Sequence, residues 1–293
     1  MNAVAVAAPQ ELRVRANGLT FAALQWGDPG APLALLLHGY PDTAWTWRHL
    51  GPHLAEQGWR AVAPFSRGYA PTELAPDDRY AVSNLARDAI ELRDALGGDA
   101  RSVLVGHDWG AVATWAVTAA APGRFARYVA MAVPPPAGLA EPSPPRLTLR
   151  QLRMSWYMGF NQIPGSERLL GRVIPQLWRD WSPGYDASED LRHLFAALPD
   201  RAHRRAALRY YRNTLQGEFG RLARTRAGAA ALYLHGEHDG CIHPALGERA
   251  IGALPDGSRF AKVPGVGHFL QLEDPGRVNA LISDWIGTGL TPR

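Results

Sequence analysis

Residues 103–113 read VLVGHDWGAVA, an apolar run interrupted at Gly106-His107-Asp108-Trp109-Gly110. This is the frame of a nucleophile elbow, G-x-S-x-G, a sharp strand-to-helix turn that lifts one side chain above a sheet. Asp108 stands where that pattern has serine. Serine suits attack on acyl carbons. A carboxylate can displace a leaving group at a saturated carbon and become an alkyl ester, and carboxylates do serve as covalent nucleophiles. Freeing that ester needs a base to activate water and an acid to orient the base. His268 in GVGHF is the candidate base and Asp239 in HGEHD the candidate acid. Each has a plainer reading. Asp108 could be only a helix N-cap, His268 a core histidine, and Glu237 a rival to Asp239. His107, His235, His238 and His243 lie near the same strand ends and are assigned supporting or surface roles. No spacing among these histidines, Cys241 and the carboxylates marks a metal site, and no cofactor is expected.

These residues need a frame to hold them. The runs at 31–39, 59–66, 101–108, 127–134, 230–239 and 258–267 are continuously apolar, as in strands covered on both faces of a parallel sheet. Between them, 44–58, 82–98, 109–125 and 243–255 are fit to be crossover helices. At the front, a turn at Asn17-Gly18 joins two strand candidates into an antiparallel hairpin. The expected architecture is a mostly parallel sheet with helices on both faces. After the sixth strand the alternation fails. Prolines at 134–145 deny the backbone its ladder donors, and the following segment is rich in arginine and in aromatics from Trp156 to Phe219. It reads as an inserted helical lid, giving a core of residues 1–134 and 221–293 and a cap of residues 135–220. In open α/β sheets ligands bind beyond the carboxyl ends of the strands. Those ends carry His38-Gly39-Tyr40-Pro41, Asp108, Asp239 and His268.

At this point the chain resembles the epoxide hydrolase branch of the α/β-hydrolase family, whose triads follow the chain order nucleophile, acid, histidine. The matching stretches are LLHGYPDTAWTWRHL (36–50), RGYAPTE (67–73), VGHDWGAVATW (105–115), HGEHD (235–239) and GVGHFLQLEDP (265–275), with SWYMGFNQIPG (155–165) and YYRN (210–213) in the lid. The resemblance implies an Asp108-His268-Asp239 triad. It implies an oxyanion hole made by the backbone N–H groups of Tyr40 and Trp109, on a loop tied down by His38 and containing Gly39 and Pro41. It also implies that Tyr157 and Tyr211 donate to the leaving oxygen, with Trp156 and Tyr210 as rival positions. A phenol of ordinary pKa near ~10 is protonated at neutral pH and can donate. The chain departs from the family pattern at APFSRGYA, where Phe65-Ser66 precede Arg67 and Ala70 replaces a glycine; that bears on loop packing and substrate shape.

Composition narrows the classes. The 293 residues are 46% hydrophobic and 20% charged, with a net charge of +4. This is ordinary for a globular domain with a sizeable core. Lys262 is the only lysine, so the basicity is arginine, densest at Arg201, Arg204, Arg205, Arg209 and Arg212. Their helical spacing reads as a solvated face and not a nucleic-acid surface. The single cysteine, Cys241, excludes an intrachain disulfide. The start MNAVAVAAPQ has no basic region of a signal peptide, and no apolar stretch reaches the ~18 residues of a membrane span. A cytoplasmic monomer or homodimer acting on a small apolar epoxide is expected. Two rivals share the fold. One is a haloalkane dehalogenase, in which an asparagine after the His-Gly pair often helps hold halide; this chain has Tyr40 there. The other is a ligand-binding protein with weak or no hydrolysis.

Overall fold

The Asn17-Gly18 turn reverses the front of the chain, with φ of 43° and 76° at its two central residues. It joins β1 (Gln10–Ala16) to β2 (Leu19–Trp26) in antiparallel register. The computed structural model describes residues 8–214, 219–222, 224 and 226–287. The apolar start read at 1–7 and part of the expected cap, 215–218, lie outside the described residues.

Six further strands follow: β3 (Leu33–Leu37), β4 (Arg60–Pro64), β5 (Val103–His107), β6 (Arg127–Met131), β7 (Ala231–Gly236) and β8 (Arg259–Val263). The sheet runs β1-β2-β4-β3-β5-β6-β7-β8, antiparallel for β1-β2-β4 and parallel from β4 to β8. Every residue of β3, β5 and β7 is buried. Their uninterrupted Leu, Val and Ala runs are the sequence consequence of being covered on both faces. The covering helices of the core are α1 (Leu50–Glu56), α2 (Val82–Ala95) and α3 (Trp109–Ala120).

Between β6 and β7 the chain leaves the sheet through α4 (Pro136–Leu139), α5 (Pro145–Met154), α6 (Trp156–Gln162), α7 (Leu170–Trp181), α8 (Ser188–Ala197), α9 (Arg201–Asn213) and α10 (Phe219–Leu222). It returns to α11 (Pro244–Arg249), α12 (Leu270–Glu273) and α13 (Pro275–Gly287). The expected helices are shorter than their segments. The stretch 44–58 divides into a 3₁₀ turn (Ala44–Trp47) and α1, and the stretch 243–255 likewise ends in a 3₁₀ turn (Ala250–Ala253). The stretch 109–125 stops at Ala120, before Pro122.

The arginine face of α9 corrects the sequence reading. Arg201 pairs with Glu167 at 2.8 Å, Arg209 with Asp78, and the Arg212 guanidinium donates to the Asn161 carbonyl at 2.8 Å. Arg204 caps the Leu198 carbonyl. These side chains bind α9 to its neighbours, and of the five only Arg201 and Arg205 are exposed. Among the described residues no helix is long and apolar enough to cross a membrane.

Candidate active site

Asp108 closes β5 and opens α3 with φ 52° and ψ −117°, a backbone conformation that non-glycine residues rarely adopt. It occupies the N-cap position of α3, but its side chain makes no capping bond and is left free to face the cavity. The elbow folds so tightly that a Cβ at Gly106 would lie 2.2 Å from the Gly110 carbonyl oxygen. A Cβ at Gly39 would lie 2.2 Å from Asp108 Oδ1. The glycines admit the close approach that brings the β3 loop over the carboxylate, where the Tyr40 N–H donates to Asp108 Oδ1 at 2.7 Å.

That loop is fixed by His38. Its Nδ1 donates to the Gly39 carbonyl at 2.9 Å and its Nε2 accepts from the Ser66 N–H at 2.9 Å. Burial holds the His38 pKa down to about 4, against the Gly39 hydrogen bond and the Asp108 charge, which leaves the neutral tautomer these bonds require. The unusual Phe65-Ser66 pair therefore keeps the loop contact through its backbone. The peptide bond Tyr40–Pro41 is cis, and the Pro41 carbonyl accepts from Trp178 Nε1 at 2.9 Å.

His268 stands beyond β8, fully buried. Its Nδ1 donates to Asp239 Oδ2 at 2.9 Å, and its Nε2 lies 3.6 Å from Asp108 Oδ2 with no hydrogen-bond partner. Its backbone is clamped from two sides. His107 Nε2 donates to the His268 carbonyl at 2.9 Å, and the His268 N–H donates to the Trp181 carbonyl at 3.0 Å. The same Trp181 carbonyl accepts the Gly240 N–H at 3.1 Å, so one peptide of α7 ties down both the base loop and the acid loop. Sequence reasoning missed this clamp, because backbone acceptors leave no residue-type signal.

Asp239, not Glu237, holds the histidine. Asp239 Oδ1 accepts the N–H groups of Cys241 and Ile242 at 2.7 and 2.9 Å. Burial works to raise its pKa, but the His268 charge and hydrogen bond, the nearby His235 and the Ile242 N–H outweigh burial and lower it. Glu237 points elsewhere and accepts from the Gly265 N–H at 3.0 Å. The other histidines are committed. His235 bonds Tyr233 and the Ile242 carbonyl, His243 caps α11, and His238 is exposed.

Above Asp108 lies a cavity of about 310 Å³ lined largely by apolar side chains, among them Trp109, Val133, Leu152, Met158 and Ile242. Tyr157 and Tyr211 both line it and meet edge to face at 5.7 Å. The Tyr211 ring also packs on Trp109 and Tyr40, each at 5.1 Å. Burial raises both phenol pKa values well above the ordinary one; for Tyr157 the Cys241 thiol adds to it, and for Tyr211 its neighbour Tyr157 does. Both phenols stay protonated. The rival positions fall away, since Tyr210 spends its hydroxyl on the Arg67 carbonyl at 2.8 Å and Trp156 is 40% exposed at the surface. A wider open groove of about 1240 Å³ passes the other side of Asp239 but is lined by neither Asp108 nor His268.

Cys241 was not read as a site residue, yet its buried Sγ reaches the cavity, 3.3 Å from the Tyr157 hydroxyl. Asp108, Cys241 and His268 each present a ligand atom within 4.8 Å of the others, the one such cluster among the described residues. Their separation along the chain hides this.

Residues 32–275 match the α/β hydrolase fold family. The chain is 30% identical to epoxide hydrolase A of Mycobacterium tuberculosis over 98% of this chain and 99% of that one. It is 28% identical to human epoxide hydrolase 4 over 92% and 76%. The crystal structure of epoxide hydrolase A from Mycobacterium thermoresistibile superposes with a TM-score of 0.77 at 28% identity, covering 97% of this chain and all of that one. An epoxide hydrolase from Vigna radiata gives 0.75 at 26% identity, over 95% and 98%. The elbow, the triad order and these likenesses agree, and the chain belongs to the epoxide hydrolase branch of the α/β-hydrolase family.

Proposed function

We propose that the chain hydrolyses epoxides to vicinal diols through a covalent ester on Asp108. Asp108 Oδ2 attacks a ring carbon, the carbon–oxygen bond breaks, and the alkoxide takes a proton from Tyr157 or Tyr211. His268 then removes a proton from water, and the hydroxide adds to the ester carbonyl carbon. The charge that develops on Oδ1 is met by the Tyr40 N–H, already bonded to it, and by the Trp109 N–H that follows the nucleophile. Collapse expels the diol oxygen as an alkoxide, which takes its proton from the His268 imidazolium. The Asp108 carboxyl, now holding the water oxygen, returns a proton to the tyrosinate and is again a carboxylate. Asp239 holds the histidine tautomer and steadies the imidazolium.

The observation that carries this reading is the pairing of a carboxylate nucleophile facing an unpartnered His268 Nε2 with two protonated phenols in one apolar cavity. In this scheme residues 135–220 act as a cap over a core of 1–134 and 221–293, supplying both phenols and an apolar wall. The apolar lining suits a small apolar epoxide and no cofactor takes part. The absence of an intrachain disulfide fits a reducing compartment, and we assign the chain to the cytoplasm as a monomer or homodimer.

Halide chemistry fits less well. The position after His38-Gly39 is Tyr40. Of the three tryptophans on α6 and α7, Trp178 donates to Pro41, Trp156 lies at the surface, and Trp181 packs edge-on against Tyr157 and His268 without lining the cavity. Aryl, terminal and internal epoxides should be assayed for diol beside 1-bromobutane for bromide. His268→Gln should trap the ester, and intact mass should rise by the substrate mass, mapped to the peptide holding Asp108. Bromide release outrunning diol formation, or turnover without any adduct in the trapped variant, would overturn the proposal.

A further inference from the structure

We infer that Asp108, Cys241 and His268 together form a binding site for a soft divalent cation of the zinc kind, and that its occupancy closes the active site. The inference stands on the geometry of these three side chains and not on which electrophile the enzyme accepts.

Three independent features converge on it. The first is the orphaned His268 Nε2, fully buried, without a hydrogen-bond partner and aimed at Asp108 Oδ2 from 3.6 Å. Its Nδ1 donates to Asp239 at 2.9 Å. A histidine that ligates a metal almost always hands its other ring N–H to a carboxylate in this way, which fixes the tautomer and raises the basicity of the free nitrogen. The second is Cys241. Its N–H donates to Oδ1 of the same Asp239 at 2.7 Å, so one carboxylate positions both the imidazole and the residue bearing the thiol. Its Sγ is 3.3 Å from the Tyr157 hydroxyl, which can donate to a sulfur anion. The third is the ligand set. Sulfur, imidazole nitrogen and carboxylate oxygen lie within 4.8 Å of one another, and the residues bearing the sulfur and the carboxylate line a cavity of about 310 Å³.

Three protein ligands with a fourth direction open to a small molecule is the arrangement of an accessible tetrahedral zinc site. Zinc–ligand bonds of about 2.0–2.3 Å at tetrahedral angles put the donor atoms roughly 3.3–3.7 Å apart. The present separations therefore close with side-chain adjustments of about 1 Å. A thiolate and an imidazole favour zinc or cadmium over magnesium or calcium, which prefer oxygen donors. Binding exchanges the thiol proton, and the imidazolium proton where it is present, for the cation. A coordinated Asp108 oxygen cannot attack carbon, and a coordinated Nε2 cannot take a proton from water. Tyr157 also loses the sulfur it now touches.

The chelator-treated full-length enzyme should be titrated with cobalt chloride as a spectroscopic substitute. One equivalent should bring up a thiolate-to-cobalt charge-transfer band, which zinc chloride then abolishes. Zinc should stop diol formation from styrene oxide and EDTA should restore it, while magnesium chloride has no effect. Cys241→Ser should lose the band. Its zinc sensitivity, taken relative to its own metal-free rate, should weaken by at least about 100-fold, more than an outer-shell partner costs. A band that is absent from the wild type or persists in Cys241→Ser overturns the site. So does zinc inhibition of equal strength in the two proteins, which would put the cation elsewhere. Because the cobalt band is read without turnover, failure of the epoxide assignment would not disturb this test.

Discussion

Replacing Asp108 with asparagine keeps the shape of the side chain facing His268 and removes its charge. In the wild-type protein burial works to lower the His268 pKa, but the charge of Asp239, the close approach of Asp108 and its charge, and the hydrogen bond to Asp239 outweigh it and hold it up to about 10. The resting histidine is therefore an imidazolium at neutral pH, an unexpected state for a base. The Asp108 share of that shift follows from the 3.6 Å between Nε2 and Oδ2. At that distance a unit pair is worth about 1 kcal/mol with the dielectric of water and about 5 kcal/mol at an effective value of about 20. At 1.36 kcal/mol per unit this is roughly 1 to 3 pKa units, so Asp108→Asn should bring His268 to about 7–9. Esterification neutralises the same carboxylate, so the ester intermediate should show the same fall. The imidazolium gives up its proton more readily once the ester exists, so more of the base is present at the step that uses it. NMR titration of the His268 ring in wild type and Asp108→Asn measures the shift directly. Single-turnover ester hydrolysis should turn on with pH at a value below that of the free enzyme. Equal His268 titration in the two proteins, or a wild-type ring already neutral at pH 7, would refute the reasoning.

Other perturbations address the remaining groups. Tyr157→Phe and Tyr211→Phe should each slow alkylation by about 10- to 1000-fold, by analogy with loss of an oxyanion-hole donor, and the double change should nearly abolish it; stopped-flow alkylation with styrene oxide reads this. Asp239→Asn should slow ester hydrolysis more than ester formation, because only the second step needs His268 as a base, whereas Glu237→Gln, whose carboxylate bonds only the Gly265 N–H, should leave both steps near wild type in the same single-turnover assay. The raised His268 pKa stabilises the fold fully below its unfolded value of about 6.5, and that contribution is lost as pH rises toward about 10. The thermal midpoint of the wild type should accordingly fall over this window more steeply than that of His268→Gln, and parallel curves would contradict it.

What the sequence made legible follows from how local each signal is. The buried strands β3, β5 and β7 announce themselves by continuous apolar runs, because both of their faces are covered. Asp108 was legible because a nucleophile elbow needs its glycines within two residues on either side, where backbones nearly touch. His268 and Asp239 were legible as strand-end residues in the right order. Tyr157 and Tyr211 were legible only through resemblance, since an isolated aromatic on a helix says nothing about which way it faces. It is tertiary packing that commits Tyr210 to the Arg67 carbonyl and leaves Tyr211 in the cavity.

The features that escaped the sequence are contacts between residues far apart along the chain. The arginines of α9 looked like a solvated face because their partners Glu167 and Asp78 lie far along the chain. Cys241 gave no metal-site spacing for the same reason. Its sulfur meets Asp108 and His268 only because β5 and β7 flank β6 and β8 lies beside β7, which brings three distant loops to one edge of the sheet. Spacing reveals ligand sets built on one turn or one helix. It is blind to a set assembled from three strand ends, and parallel α/β sheets build their sites at those ends. In such a fold, a residue such as Cys241, two positions after a candidate acid and held by that acid's own carboxylate, is already within reach of the chemistry.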